Sequence, residues 1–357
     1  MAQRSLQQFV EEVSGKSHLR IEYDYGDGFV RLHASEAERR QAAQDIRSSE
    51  DIIIELLRNS RDAHATHVFA AMARSGNKRT LTVIDDGDGI PSTMHERIFE
   101  PRVTSKLDTY HTDKWGLHGR GMALFSVSEN AESAAVIASV PLRGSSIQVV
   151  TDVSKLPEKA DQSSFPTFSM TEDGTVNVRG PKNLLRTVCE FALEERASCS
   201  VHLGSPTEIL ASIYAYGLAS MLPVDRLFCK DASDLPLVKL LAIAADPSEF
   251  ACSARKLGFE ISERSARRIM DGEIPPATNI LERISIEPAS KGRARVSQRQ
   301  NASHRVKFSR DDLQSLSDAA STAFRDLADK YYLESDVEPS IRTSADRLTI
   351  SLPIIPH

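Results

Sequence analysis

Three polar side chains share one predicted face of the segment DIIIELLRNSRDAHA, residues 51–65, which is otherwise largely apolar. Glu55, Asn59 and Asp62 follow one another at steps of four and three residues, the spacing that brings side chains together on a helix. A carboxylate accepts hydrogen bonds and protons, whereas a carboxamide both donates and accepts hydrogen bonds. The segment therefore predicts a helix whose polar face does more than pack.

A second polar motif, VIDDGDGI, ends an apolar run that is typical of a strand. Its glycines, Gly87 and Gly89, predict a tight turn, because glycine permits backbone angles and close approaches that other side chains block. Asp85 would point into the space that this turn encloses, where its carboxylate can accept a hydrogen bond from an exocyclic amine such as that of adenine. Asp86 and Asp88 are interpreted as turn-forming residues, since aspartate favours such turns.

Two further segments offer groups that suit phosphates. PRVTSK, residues 101–106, supplies two hydroxyls and a cation. WGLHGRGMALFSVSE places Gly116, Gly119 and Gly121 before an apolar run that is compatible with a helix. A glycine loop that opens a helix presents free backbone N–H groups and the positive end of the helix dipole, an arrangement that favours a polyphosphate.

These four segments, in this order, resemble the motifs of the GHKL ATPases, the superfamily of gyrase B, the Hsp chaperones, histidine kinases and MutL. ELLRNSRDA is similar to the N-box helix, DDGDG to the adenine-contacting motif, and GLHGRG to the glycines of the lid. The resemblance covers about residues 20–155. It implies the Bergerat fold, an ATP-binding mixed sheet with helices on one face, and the α+β class for the chain.

The resemblance also implies roles for individual residues. Glu55 matches the general base that deprotonates the water attacking the γ-phosphate, and Asn59 matches the residue that holds Mg²⁺. Asp85 matches the acceptor of the adenine amine. For Lys106, a surface charge is the alternative to a phosphate contact. The ATP-binding residues that the resemblance implies are Asn59, Asp62, Ala63, Asp85, Gly87, Gly89, Ile90, Thr104, Ser105, Lys106, Gly116, Leu117, His118, Gly119, Arg120, Gly121 and Met122.

Within the superfamily, the motifs are closer to the MutL and type VI topoisomerase B branch, which hydrolyses ATP. A histidine kinase usually lacks an acid at the position of Glu55, although IFEPRVTSK contains a phrase, Ile-Phe-Glu-Pro, that is typical of kinases. One departure from MutL is Arg58, where MutL has a second glutamate. The resemblance thus predicts an ATPase. The alternatives are a histidine-kinase-like or anti-sigma-like protein phosphotransferase and a nucleotide-gated adaptor with little turnover.

Composition narrows the class of protein. The chain has 357 residues, a formal net charge of −6 and 40% hydrophobic residues, as in a globular protein with domains of about 150 residues each. The mild acidity argues against nucleic-acid binding over the whole surface. The sequence has no CxxC pair, no apolar signal segment and no apolar run of about 18 residues, which predicts a cytoplasmic protein that does not span a membrane.

Hydrophobic patterning predicts the elements that must position these residues. A hairpin is expected over Ile21–Ala34, and a short polar helix follows it. Alternating and apolar runs predict further strands and helices. The predicted strands are 67–75, 79–86, 133–141, 145–153, 167–179 with a turn at 172–174, and 347–353; the predicted helical regions are 183–197, 206–221, 234–270 and 310–332.

The predicted organisation has three parts: an ATPase domain at 1–180, a mostly helical region at 181–285, and a basic segment with a C-terminal helix and strand at 286–357. In the second part, a helix, glycine turn and helix could form a DNA-binding helix-turn-helix; the favoured interpretation is a charged surface of a helical hairpin. The possible DNA contacts are Arg264, Arg267 and Arg268. Expected partners are ATP, DNA or a protein bound through residues 181–357, and a second copy in an ATP-dependent homodimer.

Overall fold

A computed structural model describes residues 21–105, 111–113, 116–118, 121–171, 175–229, 235–287, 310–331, 334, 337, 339–343 and 348–353. By their internal contacts the residues divide into two compact units, Met1–Pro288 and Ala289–His357. The boundary predicted at residue 180 remains a prediction. No helix of the described part of the chain is both long and apolar enough to cross a membrane.

The first unit begins with a hairpin and then alternates strands and helices. Its elements, in chain order, are β1 (Ile21–Gly26), β2 (Phe29–Leu32), α1 (Glu36–Ala43), α2 (Ser49–Asp62), β3 (His67–Ser75), β4 (Lys78–Asp85), β5 (Val103–Thr104), β6 (His111–Asp113), β7 (Gly116–His118), α3 (Ala123–Asn130), β8 (Ser133–Ser139), β9 (Ser145–Asp152), β10 (Thr167–Met170), β11 (Val176–Arg179), α4 (Leu184–Glu194), β12 (Ser200–Gly204), α5 (Pro206–Ser220), α6 (Pro223–Phe228), α7 (Pro247–Lys256), α8 (Glu263–Met270) and β13 (Ile286–Glu287).

The second unit contains α9 (Arg310–Tyr331), β14 (Ser340–Thr343) and β15 (Leu348–Ser351). β14 and β15 pair antiparallel. Phe324 and Ala328 of α9 are buried with Val337 in a small core.

A five-stranded mixed sheet is the centre of the first unit. Its strand order is β12-β3-β4-β9-β8. β12 runs parallel to β3, whereas the other pairs are antiparallel. The α+β class and the mixed sheet are confirmed. β12 was not predicted, because its five residues, SVHLG, are too short a run to show strand periodicity without the neighbouring strand.

One face of the sheet packs against α2 and α4. The alternation of β4 turns Leu81 and Val83 toward this core, together with Val68 of β3 and Val149 of β9. The helix α2 contributes a continuous apolar side, with Ile53 and its neighbours fully buried. Glu50 and Asp51 lie in its first turn, where the helix dipole favours acids. This packing fixes the axis of α2 across the strands.

The opposite face of the sheet is covered too. Phe69 and Ala71 of β3 and Ile84 of β4 pack against α5, α7, α8 and a 3₁₀ turn at Leu237–Ile243. Within the part of the chain predicted as the ATPase domain, α2 and α3 pack on the first face, as predicted, and α4 of the following region packs there too. The helices α5, α7 and α8 form a second layer on the opposite face.

The predicted helical region at 234–270 consists of three separate pieces. Pro236 precedes the 3₁₀ turn, and Asp246 caps α7 by accepting hydrogen bonds from the N–H groups of Ser248 and Glu249. The helix, glycine turn and helix predicted here is confirmed, with Gly258 at φ +94° between α7 and α8. Proline and capping residues thus divide the predicted helical region at 234–270 into these three pieces.

A smaller sheet lies beside the main one. It has the order β1-β2-β5, and Val30 of β2 pairs with Thr104 of β5. β6 and β7 form a short antiparallel pair, with His111 opposite His118. The hairpin predicted over Ile21–Ala34 is confirmed by β1 and β2.

Candidate nucleotide-binding site

A cavity lies between α2, the turn after β4, β5 and the start of α3. Its volume, including the solvent space at its open mouth, is about 920 Å³. Nine residues predicted from four separate motifs line it. They are Asn59, Asp62, Ala63, Asp85, Gly89, Ile90, Thr104, Ser105 and Gly121.

Asp85 is the buried carboxylate of this cavity, with only 3% of the residue exposed. Its Oδ1 accepts hydrogen bonds from the N–H groups of Gly87 at 3.0 Å and Ser145 at 3.2 Å. Its Oδ2 accepts from the hydroxyls of Ser60 at 3.0 Å and Ser145 at 2.8 Å. The four donors come from α2, the turn and β9, so the carboxylate joins three elements at one point.

Burial raises the pKa of Asp85 above its usual value, against the hydrogen bonds from Ser145, Gly87 and Ser60, which lower it. The two hydroxyls can rotate about their C–O bonds. Either can therefore release its hydrogen bond when a ligand amine approaches Oδ2, and the site can accept such a donor without movement of the backbone.

The turn after β4 brings the backbone close to neighbouring chain segments. A Cβ atom on Gly87 would lie 2.4 Å from the carbonyl oxygen of Ala63. Gly89 has φ +69°, and a Cβ atom there would lie 2.1 Å from the carbonyl oxygen of Val140. The N–H of Asp88 donates to the carbonyl of Ala63 at 2.8 Å, which ties the turn to the end of α2.

Asp86 anchors the other side of the turn. Its carboxylate accepts hydrogen bonds from the N–H and hydroxyl of Thr66 and from the N–H of His67, at 2.7 to 2.8 Å. The His67 ring lies 3.0 Å from the second oxygen. Burial raises the pKa of Asp86, but the hydrogen bonds from His67 and Thr66 prevail and lower it to about 2. The residue holds the start of β3, which agrees with a turn-forming role.

The polar residues of α2 are distributed along the cavity edge. The amide of Asn59 lines the cavity, and its Nδ2 is buried with no hydrogen-bond partner among the described residues. Asp62 accepts a hydrogen bond from Arg61 at 2.9 Å. Glu55 lies one turn before Asn59 and is not among the described residues that line the cavity.

Arg58 holds the carboxylate of Glu55. Its Nη1 donates to Glu55 Oε1 at 2.7 Å, and the two side chains are 3% and 17% exposed. A buried arginine on the predicted base is a feature that the resemblance did not imply. The contact restricts the rotamer of Glu55 and sets the direction in which its carboxylate points.

The predicted phosphate segments are only partly described. Thr104 is buried on β5 and Ser105 lines the cavity, whereas Lys106, Gly119 and Arg120 lie outside the described residues. The glycines were predicted to precede a helix, and α3 does begin at Ala123, shortly after Gly121. The earlier part of this segment, Gly116–His118, forms the strand β7, paired to β6, which was not predicted.

The start of α3 reaches the cavity. Gly121 accepts a hydrogen bond from the N–H of Arg102 at 2.8 Å, and Met122 caps the helix. Ala123 and Leu124, in the first turn, line the cavity. The first N–H groups of an α-helix have no partner within the helix, so this end of the cavity favours an anion.

Sequence reasoning missed the apolar walls and two serines. Ser60 was visible beside Asn59, and its place in the turn of α2 nearest Asp85 could have been inferred. Ser145 was placed at the start of a strand, but its position opposite Asp85 follows from the register of β4 and β9, which local sequence does not encode. The apolar walls are Phe29, Ile98, Val103, Leu124 and Ile147.

These features fit a nucleotide with Mg²⁺. Magnesium is usually bound by one or two protein oxygens together with phosphates and water, and the buried Asn59 amide is a suitable donor on the cavity wall. The glycine turn and the hydrogen-bonded Asp85 suit a flat ring that carries an amine. The start of α3 suits the phosphates.

Comparisons with known proteins agree with the resemblance of the sequence to the GHKL superfamily. Residues 44–155 match the family model described as "Histidine kinase-, DNA gyrase B-, and HSP90-like ATPase". The DNA mismatch repair protein MutL of Lactiplantibacillus plantarum is 30% identical over 116 residues, which cover 30% of this chain and 17% of that protein. MutL of Aquifex aeolicus is 36% identical over 105 residues, 28% of this chain and 24% of that protein.

A sensor protein is also similar to part of this chain. Sensor protein RstB of Escherichia coli is 42% identical over 84 residues, which cover 23% of this chain and 19% of RstB. All three alignments span less than a quarter of the length of these relatives. The similarity therefore describes a domain rather than a whole protein.

Alanine at Gly89 should destabilise the fold more than alanine at Gly76. The two positions are comparable because both glycines have positive φ, +69° and +58°. The strain of the left-handed conformation, about 1 kcal/mol or more, is common to both. Only Gly89 has a carbonyl within 2.1 Å of the new Cβ, whereas nothing lies within 4 Å at Gly76. We expect Gly89→Ala to lower the free energy of unfolding in urea by about 2 kcal/mol beyond Gly76→Ala. Equal losses would contradict this packing.

Asp86 should make the stability depend on acid pH. A carboxyl with a pKa of about 2 in the fold and an ordinary pKa of 3.8 in the unfolded chain stabilises the fold above about pH 4, and this contribution is lost as the pH falls toward about 2. We expect the difference in unfolding free energy between wild type and Asp86→Asn to shrink by about 2 kcal/mol from about pH 5 to pH 2. A constant difference across this range would rule out the shifted carboxyl.

Proposed function

We propose that the ATPase domain of the histidine kinase, DNA gyrase B and HSP90 type, which residues 44–155 of this chain carry, binds ATP with Mg²⁺ and hydrolyses it. The observation that carries the proposal is the single cavity on which residues from four separate motifs meet. Chance agreement of four motifs in order and in space is much rarer than a match to one motif.

The base end of the nucleotide belongs to the turn after β4. Asp85 accepts the hydrogen bond of the adenine amine, and Ser60 and Ser145 keep its carboxylate oriented. The glycine turn leaves room for the ring, and Ile90 and Ile147 supply apolar contacts to it. A site that hydrogen-bonds an amine discriminates against a ring without one, so adenine is preferred to a base with a carbonyl in this place.

The phosphate end belongs to Asn59, β5 and the start of α3. Asn59 supplies an oxygen to Mg²⁺, and the ion, when bound, neutralises charge on the phosphates. Thr104, Ser105 and the N–H groups at the start of α3 hold phosphate oxygens, and the predicted contacts of Lys106 and the residues from Gly116 to Met122 belong to the same end. Positioning and charge stabilisation carry most of a phosphoryl transfer.

Glu55 acts as the general base. It lies one turn from Asn59 on α2, so a water molecule bound near the terminal phosphate is within the reach of that helix face. Arg58 holds one carboxylate oxygen at 2.7 Å, which fixes the other oxygen in direction. Removal of a positioned base typically costs a factor of about 10² to 10⁴ in rate.

ATP acts as a switch for the region that follows the domain. The strand β9 carries Ser145, which holds Asp85, and on its other face Ser146 and Gln148, which donate to the carbonyls of Leu257 and Gly258 at 2.9 Å. The nucleotide site and the turn between α7 and α8 are thus neighbours on one strand. Lid closure or ATP-dependent dimerisation would act through this layer on a protein or DNA partner.

A second candidate function is transfer of the γ-phosphate to a protein, and the similarity to Sensor protein RstB is the observation that favours it. A third candidate is a nucleotide-gated adaptor with little turnover. It is favoured by the ion pair between Arg58 and Glu55, because an enzyme whose general base is held by a buried arginine hydrolyses ATP slowly unless that ion pair opens. Incubation with γ-labelled ATP separates the three outcomes: free phosphate, labelled protein or intact ATP. We expect free phosphate.

Glu55→Ala and Glu55→Gln should retain ATP and lose turnover, whereas Asn59→Ala should lose both, because Asn59 supports Mg²⁺ and the phosphates. Glu55→Gln keeps a hydrogen-bond acceptor for Arg58, so its loss of turnover is not a loss of folding. The measurements are steady-state phosphate release, expected to fall about 10²-fold or more, and equilibrium binding of a fluorescent ATP analogue. Glu36→Gln, on the exposed side of α1, is the control. Unchanged turnover in Glu55→Gln would rule out Glu55 as the general base.

The predicted DNA contacts lie on α8. Arg264, Arg267 and Arg268 are exposed, but Arg268 forms an ion pair with Glu273 at 3.0 Å. Acidic residues flank the other two, at Glu260, Glu263 and Asp271. This mixed charge favours a hairpin surface over a phosphate-binding face.

We therefore expect Arg264→Ala with Arg267→Ala to change affinity for duplex DNA by less than about twofold at any salt concentration. Each phosphate contact removed would instead reduce the slope of log affinity against log salt by about 0.9. Fluorescence anisotropy over a salt series measures both quantities. A tenfold fall in DNA affinity, together with a shallower dependence of affinity on salt, would show that α8 binds DNA.

A further inference from the structure

A second cleft opens at the other end of α2. It lies between the first turns of α2, residues 157–159 and the first turns of α4. Its volume, measured out to its open mouth, is about 1270 Å³. Among the described residues it shares no lining residue with the nucleotide cavity, so it is a separate site on the same helix.

Glu50 forms the buried acceptor of this cleft. It lines the cleft although it is only 7% exposed. Its Oε1 accepts hydrogen bonds from the N–H of Lys159 at 3.2 Å and from Gln162 Nε2 at 2.7 Å. Its Oε2 is buried and has no hydrogen-bond partner among the described residues. A buried carboxylate oxygen without a donor is costly, and a ligand in the cleft would supply that donor.

Two other charged groups in the cleft already have partners. Glu158 accepts hydrogen bonds from Arg74 at 2.7 Å and from Arg79 at 2.8 and 2.9 Å. Arg186 pairs with Glu190 at 2.7 Å. These contacts join five ions, three arginines and two glutamates, so the paired groups together keep one net positive charge on this side of the cleft.

Two further charged residues of the cleft hold local contacts: Asp51 accepts hydrogen bonds from the N–H of Arg47 at 2.8 Å and the hydroxyl of Ser48 at 3.2 Å, and Arg47 Nε donates to the carbonyl of Gln44 at 3.4 Å. Glu50 is the buried acid of the cleft, and two lysines are exposed at its rim. Lys159 and Lys182 line the cleft, are exposed, and form no ion pair with a described residue. Their ammonium groups are free to meet an anion. A simple cation would be repelled by these lysines, and a simple anion would be repelled by Glu50. The arrangement therefore favours a molecule that carries both charges.

We propose that this cleft binds a small zwitterion, with its protonated amine on Glu50 Oε2 and its anionic group between Lys159 and Lys182. The anionic group is a carboxylate or a phosphate, since both accept hydrogen bonds from ammonium groups. A free amino acid and a phosphorylated amine are the two sources of this chemistry. The proposal is independent of ATP binding, because the two sites have separate linings.

Calorimetry on the full chain tests the proposal with four probes. L-alanine and O-phosphoethanolamine carry both charges, whereas ethylamine and acetate carry one each. We expect at least one zwitterion to bind at least tenfold more tightly than either single-charge probe, and the tighter zwitterion identifies the anionic group. Equal affinity of all four probes, or no binding of either zwitterion, would overturn the proposal.

Two variants locate the binding. Glu50→Gln removes the charge that holds the amine, and Lys182→Ala removes one cation of the rim. We expect each to weaken the zwitterion about tenfold or more, as for the loss of a charged hydrogen bond. The matched controls are Glu129→Gln and Lys155→Ala, which lie outside the cleft and should retain wild-type affinity.

The variants keep the two sites distinguishable. Lys182 is exposed, so its replacement tests the cleft even where Glu50→Gln impairs folding. Binding of a fluorescent ATP analogue to the same variants should remain at the wild-type level, which shows that they are folded. Unchanged zwitterion affinity in both Glu50→Gln and Lys182→Ala would overturn the site, whatever the outcome for ATP hydrolysis.

Discussion

The burial of one carboxylate is the constraint on which the nucleotide site depends. Asp85 continues the face of β4 that carries Leu81 and Val83, so the alternation of the strand alone directs it toward α2 and away from water. A carboxylate can remain there only if donors surround it. Those donors come from α2, from the glycine turn and from β9. Because Asp85 needs all of these hydrogen bonds, it fixes the relative positions of α2, the glycine turn and β9, and the cavity lies between them.

The same alternation divides the sheet into two functional faces. Along β9, Ser145, Ile147 and Val149 face the nucleotide side, whereas Ser146 and Gln148 face the second helical layer. One residue along the strand thus separates a hydrogen bond to Asp85 from a hydrogen bond to the turn between α7 and α8. Under the proposed function, this strand is the element through which a change at the nucleotide site would reach the second helical layer, because it contacts both.

The sequence predicted what is local and missed what depends on pairing. The helix that carries Glu55 and Asn59 and the turn that follows Asp85 were predicted, because helix and turn geometry follows from spacing and glycine positions over fewer than ten residues. Strand β12 and the role of Ser145 were missed, because both depend on which strand lies beside which. The helix after the glycines was predicted, since glycines before an apolar run are typical of that arrangement. The strand at Gly116–His118 was missed, because it depends on its antiparallel partner at His111–Asp113.

The helix α2 connects the two sites. Its apolar side is fully buried at Ile52, Ile53 and Leu57, so the helix is packed firmly against the sheet. Its first turn carries Glu50, and its later turns carry Glu55 and Asn59. A ligand that pairs with Glu50 removes the cost of an unpaired buried oxygen and so stabilises the start of the helix in its present position. Glu55 and Asn59 follow on the same helix but are not among the described residues that line this cleft, so the proposed ligand and the nucleotide contact different residues of α2.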